Sequence, residues 1–399
     1  MFKKCFPIIV LLFSFNYISV VFSQDDPDSL KNKSEMLLSE DSLKVIEVTI
    51  ERTKPIDQED SIQTKGLKII AYPYAFYTPE TNLAFGVGSL LYFRLSPSPN
   101  VNLSKIQAAG YYTINNQYFF NVKPSIYFSG KAGLYLEADF NFGEEFRYFY
   151  GIGNNTPEIE DAEYKMNYWG LTAELAAEDL IVGSSKQGLI YEYSNSSIID
   201  KLNNPNLIDS EINGIEGGQV GGLGLSLTFD NRDNIFYTSC GYFLKLTGTF
   251  YRLPFGSDYS YDKYMIDYRK FWTIYDSHVL ALQVYSNFTL GEPPFYKLPQ
   301  VGGSYRMRGF IEGRYMDKQY FLTQFEYRKI VYWRIGIALS YSYGNVFDKF
   351  ENLRLKDFKH TWGAGLRFVF DKEEKINIRV DLGFAEGTTG VYFALDEAF

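Results

Sequence analysis

The sequence predicts an all-β fold, a transmembrane antiparallel β-barrel of about 16 strands behind a short, mostly disordered N-terminal arm. Three observations point there. From Leu67 to Phe399 apolar and polar residues alternate with the two-residue period of strands, giving each strand one apolar and one polar face. The 399 residues include 34 Tyr and 34 Phe against 2 His and 2 Cys, a balance that suits strand walls with aromatic girdles rather than an aliphatic soluble core. An export leader opens the chain, yet no later apolar run has the length of a spanning helix. The mean hydropathy is slightly polar, as expected when half of each strand faces a wet interior.

Residues 1–23 read as a signal peptide. Lys3 and Lys4 supply its positive region, Phe6 to Val21 its apolar region, and Val21-Phe22-Ser23 precedes cleavage before Gln24. Pro7, Ser14, Asn16 and Ser19 argue against a permanent membrane anchor here. Loss of Lys3 and Lys4 takes the net charge from -9 to -11, since -9 - 2 = -11. Such an acidic exported chain is a poor partner for nucleic acid. With Cys5 in the leader, Cys240 is left alone and no internal disulfide is expected. Residues 24–66 are acidic, rich in Ser and Lys and without aromatics, so a largely disordered periplasmic arm is expected. Leu43 to Ile50 could add one short strand or an amphipathic turn.

The barrel is assigned to residues 67–399. Its first hairpin runs Leu67–Tyr77, turns at Thr78-Pro79-Glu80-Thr81-Asn82, and returns over Leu83–Leu95. Asn115-Asn116 and Ser129-Gly130-Lys131 read as tight turns, and stretches near 143–158 and 195–217 as longer loops. Trp333 to Gly344 and Ile376 to Phe384 alternate most cleanly. Asp276-Ser277, Val331-Tyr332 and Asp371-Lys372-Glu373-Glu374 are turns at one end; the loops after Leu290, Asn345 and Gly383 lie at the other. Gly390–Phe399 reads as the last strand, with Val391, Phe393, Leu395 and Phe399 toward lipid. Pro73 in the first strand fits either a weakly paired edge or a strand entry before the ladder begins.

Chemistry-bearing motifs are sparse. His278 and His360 have no nucleophile at a triad-like spacing, so girdle histidines are expected and no catalytic residue is assigned. Glu158, Glu160, Asp161 and Glu163 read as a solvated acidic run rather than a calcium site. No metal or cofactor is expected. The stretch that stands out is Gly302, Gly303, Met307, Arg308, Gly309 and Phe310, followed by a strand carrying Gln324, Glu326 and Arg328 on one face. A glycine-flanked arginine there is placed to fold back onto a carboxylate.

These residues resemble the BamA/TamA family of outer-membrane proteins, also called the bacterial surface antigen family, over roughly Leu67 to Phe399. Tyr77-Thr78-Pro79-Glu80-Thr81 is similar to the family's first hairpin. Asp230-Asn231-Arg232-Asp233-Asn234, with Tyr237 and Gly241, resembles its mid-barrel periplasmic turn. Gly302-Gly303 with Arg308-Gly309-Phe310, then Glu326-Tyr327-Arg328 and Gly344-Asn345-Val346, follow its lumen loop and the next strands, and Phe399 its final aromatic. The resemblance implies that Arg308 meets Glu326 inside the lumen. The family's second acidic position falls on Ser342, which would leave one carboxylate. It further implies a non-enzymatic protein acting in outer-membrane protein assembly, insertion or export, with Pro73 and Phe399 at a first–last strand seam that opens as a lateral gate. Residues 24–66 are too short for the family's periplasmic POTRA domains, so partner subunits supplying them are expected beside lipids and client proteins. A non-gating subunit of a larger complex and a passive channel are the alternatives.

Overall fold

Alternating side chains make a wall only if the backbone of each strand is bonded on both sides. The computed structural model describes residues 46–49, 68–78, 82–95, 103–128, 133–208, 211–371, 375–395 and 397–399. The leader, the arm apart from 46–49, and the turn residues at 79–81, 129–132 and 372–374 lie outside the described residues.

A four-residue strand of the arm, β1 (Ile46–Thr49), pairs antiparallel with the start of β2 (Lys68–Thr78). There follow β3 (Asn82–Phe93), β4 (Ser104–Thr113), β5 (Tyr118–Tyr127), β6 (Tyr135–Tyr148), β7 (Glu163–Glu178) and β8 (Lys186–Asp200). A short helix, α1 (Pro205–Ile208), precedes β9 (Gly217–Asp230), β10 (Gly241–Tyr251), β11 (Tyr261–Tyr275) and β12 (His278–Gly291). Two minimal strands, β13 (Gln300–Val301) and β14 (Tyr315–Met316), pair within the long loop that comes next. The wall resumes with β15 (Gln319–Tyr332), β16 (Ile335–Phe347), β17 (Lys359–Asp371), β18 (Ile376–Ala385) and β19 (Thr388–Leu395). Sixteen antiparallel strands, β2–β12 and β15–β19, thus form the wall.

Two strands run further than their composition suggests. Gly143–Tyr148 continue β6, and Asn195–Asp200 continue β8. In β6 the polar residues face inward: the Glu145 carboxylate accepts hydrogen bonds from the hydroxyls of Tyr111 and Tyr168. In β8, Asn195 to Ser197 stay in register with both neighbouring strands, and Ser194 and Ser196 turn into the lumen. Polar residues here mark an interior, not a loop.

The outer face is apolar and uncovered. Val87, Leu225 and Leu366 are each 60–62% exposed, a density of bare hydrophobic surface that a water-soluble protein does not carry. Inside, two apolar clusters fill the lumen at the end bearing the long loops. One gathers Phe149, Tyr164, Met166, Phe295 and Leu298; the other Val301, Met307, Phe310, Leu322 and Val346.

The wall curls until β19 lies beside β2. Every other neighbouring pair of wall strands carries a ladder of eight to fourteen residue pairs. Among the described residues no such register joins β19 to β2. The rings of Tyr74 and Phe393 face each other across this boundary, 6.4 Å apart. Pro73 sits inside β2 opposite Val87, five residues past the strand's start rather than at its entry. The last strand stops short of expectation: Glu397, Ala398 and Phe399 are buried inside, with Phe399 against Phe271 and Ala281 rather than on the lipid face. The reason is Glu397, whose carboxylate finds guanidinium partners within the lumen.

If hydrocarbon wets the outer face, Phe325→Arg, midway along β15, will cost about 2–4 kcal/mol of folding free energy in a bilayer. Urea-titrated folding into lipid vesicles measures this, and wild-type stability in the variant would contradict the assignment.

Candidate functional site

The loop between β12 and β15 is drawn inward by its own sequence. Pro293 and Pro294 end strand pairing after β12. Phe295 then packs 4.9 Å from Phe149 and 5.4 Å from Tyr164, measured between ring centroids. The β13–β14 ladder pinches the segment between into a closed turn. Met307 adopts a left-handed backbone with φ 46, which costs a non-glycine residue about 1–2 kcal/mol. Its fully buried side chain in the Leu322–Val346 cluster offsets that cost. A Cβ at Gly344 would lie 2.7 Å from the Met307 sulfur, so glycine leaves the room the methionine occupies.

At its tip the loop backbone rests directly on β18. A Cβ at Gly309 would lie 2.6 Å from the Phe384 carbonyl carbon, and one at Gly383 2.5 Å from that of Arg308. Gly309 also has φ 116, a conformation that only glycine adopts freely. Its N–H donates to the Tyr392 hydroxyl at 2.9 Å, and its carbonyl accepts from the Thr388 hydroxyl at 2.6 Å. Both partners belong to β19, so the loop holds the last strand from inside.

This approach delivers Arg308 to two carboxylates. Its Nη2 lies 2.5 Å from Glu326 Oε2 and its Nη1 2.7 Å from Asp381 Oδ2. Three further arginines share these anions. Arg328 Nε meets Glu326 Oε1 at 2.8 Å, and Arg379 Nη1 meets Asp381 Oδ2 at 2.5 Å. Arg367 reaches Asp381 at 2.5 Å, Glu397 at 2.8 Å and Glu326 at 3.3 Å. Asn377 donates to Glu397, and Arg328 Nη2 donates to the main-chain oxygen of Phe399 at 2.8 Å. Loop, β15, β17, β18 and the tail after β19 thereby meet at one buried point. Gly365 is required beside it: a Cβ there would fall 1.9 Å from Asp381 Oδ1.

The structure brings Arg308 and Glu326 together and sets Ser342 apart. Ser342 donates to Gln324 at 3.2 Å instead. Its side chain lacks both the charge and the reach, and the second anion comes from β18 as Asp381. Arg367, Arg379, Asp381 and Glu397 were not read from the sequence as partners, although the inward face of β18 carried Arg379 and Asp381.

The turn after β9 is self-contained. Arg232 chelates Asp230 at 2.7 and 2.8 Å, and Asn234 Oδ1 accepts from the amides of Phe236 and Tyr237. Asp233 accepts from the amides of Ser239 and Cys240 and from the Ser239 hydroxyl. Burial raises the Asp233 pKa, but the Ser239 hydroxyl and these amides hold it below the usual carboxylate range. Its contribution is therefore present at neutral pH and lost as pH falls through the lowered value. His278 and His360 each share a ring nitrogen with a tyrosine, Tyr327 and Tyr341 respectively. Glu163 of the acidic run accepts from the Tyr148 hydroxyl.

The arrangement offers no nucleophile beside a base; chemically it is a brace. Residues 112–371 match the Omp85 superfamily domain. In fold the chain is similar to the crystal structure of BamA from Haemophilus ducreyi lacking POTRA domains 1-3, with a TM-score of 0.54 and 13% identity over 90% of this chain and 72% of that one. No curated protein matches the chain.

Removing Arg308 loses two charge-assisted bonds, worth about 1.5–3 kcal/mol each. Removing Asp381 strands Arg379 and takes one of the anions from Arg308 and Arg367, at about 3–5 kcal/mol. Arg314 bonds Thr156 and stacks on Tyr150 and Tyr315, and meets no carboxylate among the described residues. The temperature at which the folded barrel loses its compact gel mobility should therefore drop clearly for Asp381→Asn and for Arg308→Ala, and least for Arg314→Ala. Equal drops for the two arginines would remove Arg308 from the brace.

Proposed function

The chain belongs to the Omp85 superfamily, and from that premise we propose that it inserts proteins into the outer membrane or exports them across it. The route is the boundary between β19 and β2. The observation that supports this reading is the contrast along the wall, where long ladders flank a hydrogen-bonded boundary that has no such ladder among the described residues. Each backbone hydrogen bond contributes about 0.5–1.5 kcal/mol net, so a boundary with few of them parts at less cost than a full ladder. Once parted from β19, the edge of β2 beyond the four residues that β1 pairs (Lys68–Ala71) would accept an extended client strand by β-augmentation. Pro73 fits such an edge, because a residue without an N–H is best placed where pairing is incomplete.

In this mechanism the Arg308 brace keeps β18, β19 and the loop together while β2 parts from them. The filled loop end of the lumen supports a strand-exchange route over a passive small-solute channel. Residues 1–23 would direct export and 24–66 would hang in the periplasm, beside any partner subunit bringing periplasmic domains.

Tyr74→Cys with Phe393→Cys, in a Cys240→Ser background, places a disulfide across the boundary. Oxidation should stop client assembly in reconstituted membranes and reduction should restore it. Undiminished assembly by the fully oxidised protein would refute the lateral route.

A further inference from the structure

Inside the wall formed by β6 to β11 lies a cavity of about 200 Å³, separate from the arginine network. Arg147, Glu192, Ser194, Ser196, Lys263 and Lys297 line it. The acids nearby are already engaged. Glu192 takes Lys263 Nζ with both oxygens, at 2.9 and 2.7 Å, and the Tyr251 hydroxyl at 2.5 Å. Glu145 takes two tyrosine hydroxyls and stands 3.6 Å from Arg147.

Lys297 has no such partner. It sits on the turn Phe295–Lys297 of the inward loop, among Glu192, Lys263 and Arg147, and forms no ion pair or hydrogen bond among the described residues. Burial pushes its ammonium down to about 8; Glu192 opposes this, and Lys263 and Arg147 add to it. Two donors stand idle with it. Ser194 and Ser196, 8% and 4% exposed, face inward, and their hydroxyls make no hydrogen bond among the described residues. All three line the cavity, where a guest could take their bonds. An ammonium and two hydroxyls, with Lys263 and Arg147 at the margin, form a donor set with an excess of positive charge.

We infer that this cavity binds a small oxyanion group, a phosphate, sulfate or carboxylate, held by the Lys297 ammonium and the hydroxyls of Ser194 and Ser196. The stacked rings of Tyr251 and Tyr261, 4.2 Å apart, wall the site. Its volume admits one such group with a few waters, each water taking about 30 Å³. The group could arrive as a free ion or on a lipid headgroup, and the chemistry is the same for both.

The test is calorimetric titration of the purified full chain in a neutral detergent with inorganic phosphate and with sodium sulfate, against sodium chloride at equal ionic strength. Saturable binding of phosphate and sulfate but not chloride is expected, weakened tenfold or more by Lys297→Met and unchanged by Lys201→Met. Sulfate does not titrate in this range, so its affinity should fall as pH rises from about 7 to 9 and Lys297 loses its proton. Retained compact gel mobility shows that a variant has folded. If Lys297→Met does not fold, Ser196→Ala replaces it, with a severalfold loss expected. Absence of saturable binding, equal binding of chloride, or full affinity in a folded Lys297→Met or Ser196→Ala protein overturns the site. Reconstitution into phosphatidylglycerol vesicles identifies the source while supporting the site either way. Loss of free-phosphate binding there indicates a headgroup, and its persistence a soluble anion.

Discussion

Four guanidiniums removed from bulk water must each keep an anion, and the inner structure follows from that constraint. Arg308, Arg328, Arg367 and Arg379 are at most 4% exposed, and Glu326, Asp381 and Glu397 are their carboxylates. Desolvating each ion costs several kcal/mol, recovered only when the geometry is good and the remaining donors are bonded. Such a cluster is therefore a weak source of net stability and a strong selector of register. A one-residue slip of β18 would turn Asp381 toward lipid and leave three arginines without it. The same demand explains the glycines at 309, 365 and 383, since any side chain there would displace the loop or the pair itself.

The wall was legible because lipid and lumen impose opposite chemistry on alternate residues. Ile335 to Gly344 and Ile376 to Phe384 keep that alternation without interruption, and both are strands, while the turn expected at Val331-Tyr332 falls instead on Trp333 and Arg334. Legibility failed where polar residues occur inside a strand. Gly143, Glu145 and Arg147 look like a loop in one dimension, and so do Asn195 to Ser197. Only the facing hydroxyls and ladders of neighbouring strands show that they face inward.

The site was half legible. Arg308 between glycines, ahead of a strand bearing Glu326, is a local pattern, and local patterns survive in sequence. Asp381 lies 73 residues beyond Arg308, and nothing in the chain between them indicates that β18 passes beneath the loop. Transferring the family's second acidic position to Ser342 went astray because a register argument assigns a position and not a reach. Glu397 misled differently. It sits between Leu395 and Phe399 in the series assigned to lipid, whereas it is the charge that turns the tail inward.

That inward turn bears on how the last strand is held. β19 has a ladder with β18 on one side, hydroxyl contacts from Tyr392 and Thr388 to the loop, and a tail tied to Arg367 and Arg328. Toward β2 it is hydrogen-bonded and makes ring contact, with no long ladder among the described residues. Its side-chain and tail attachments named here are therefore one-sided, running to the loop and to β15, β17 and β18. If the boundary parts, β19 must remain with that group, and the β2–β3 hairpin is the side left to move. On the lateral route proposed above, a brace of buried arginines beside that edge would be a single design, in which rigidity on one side localises opening to the other.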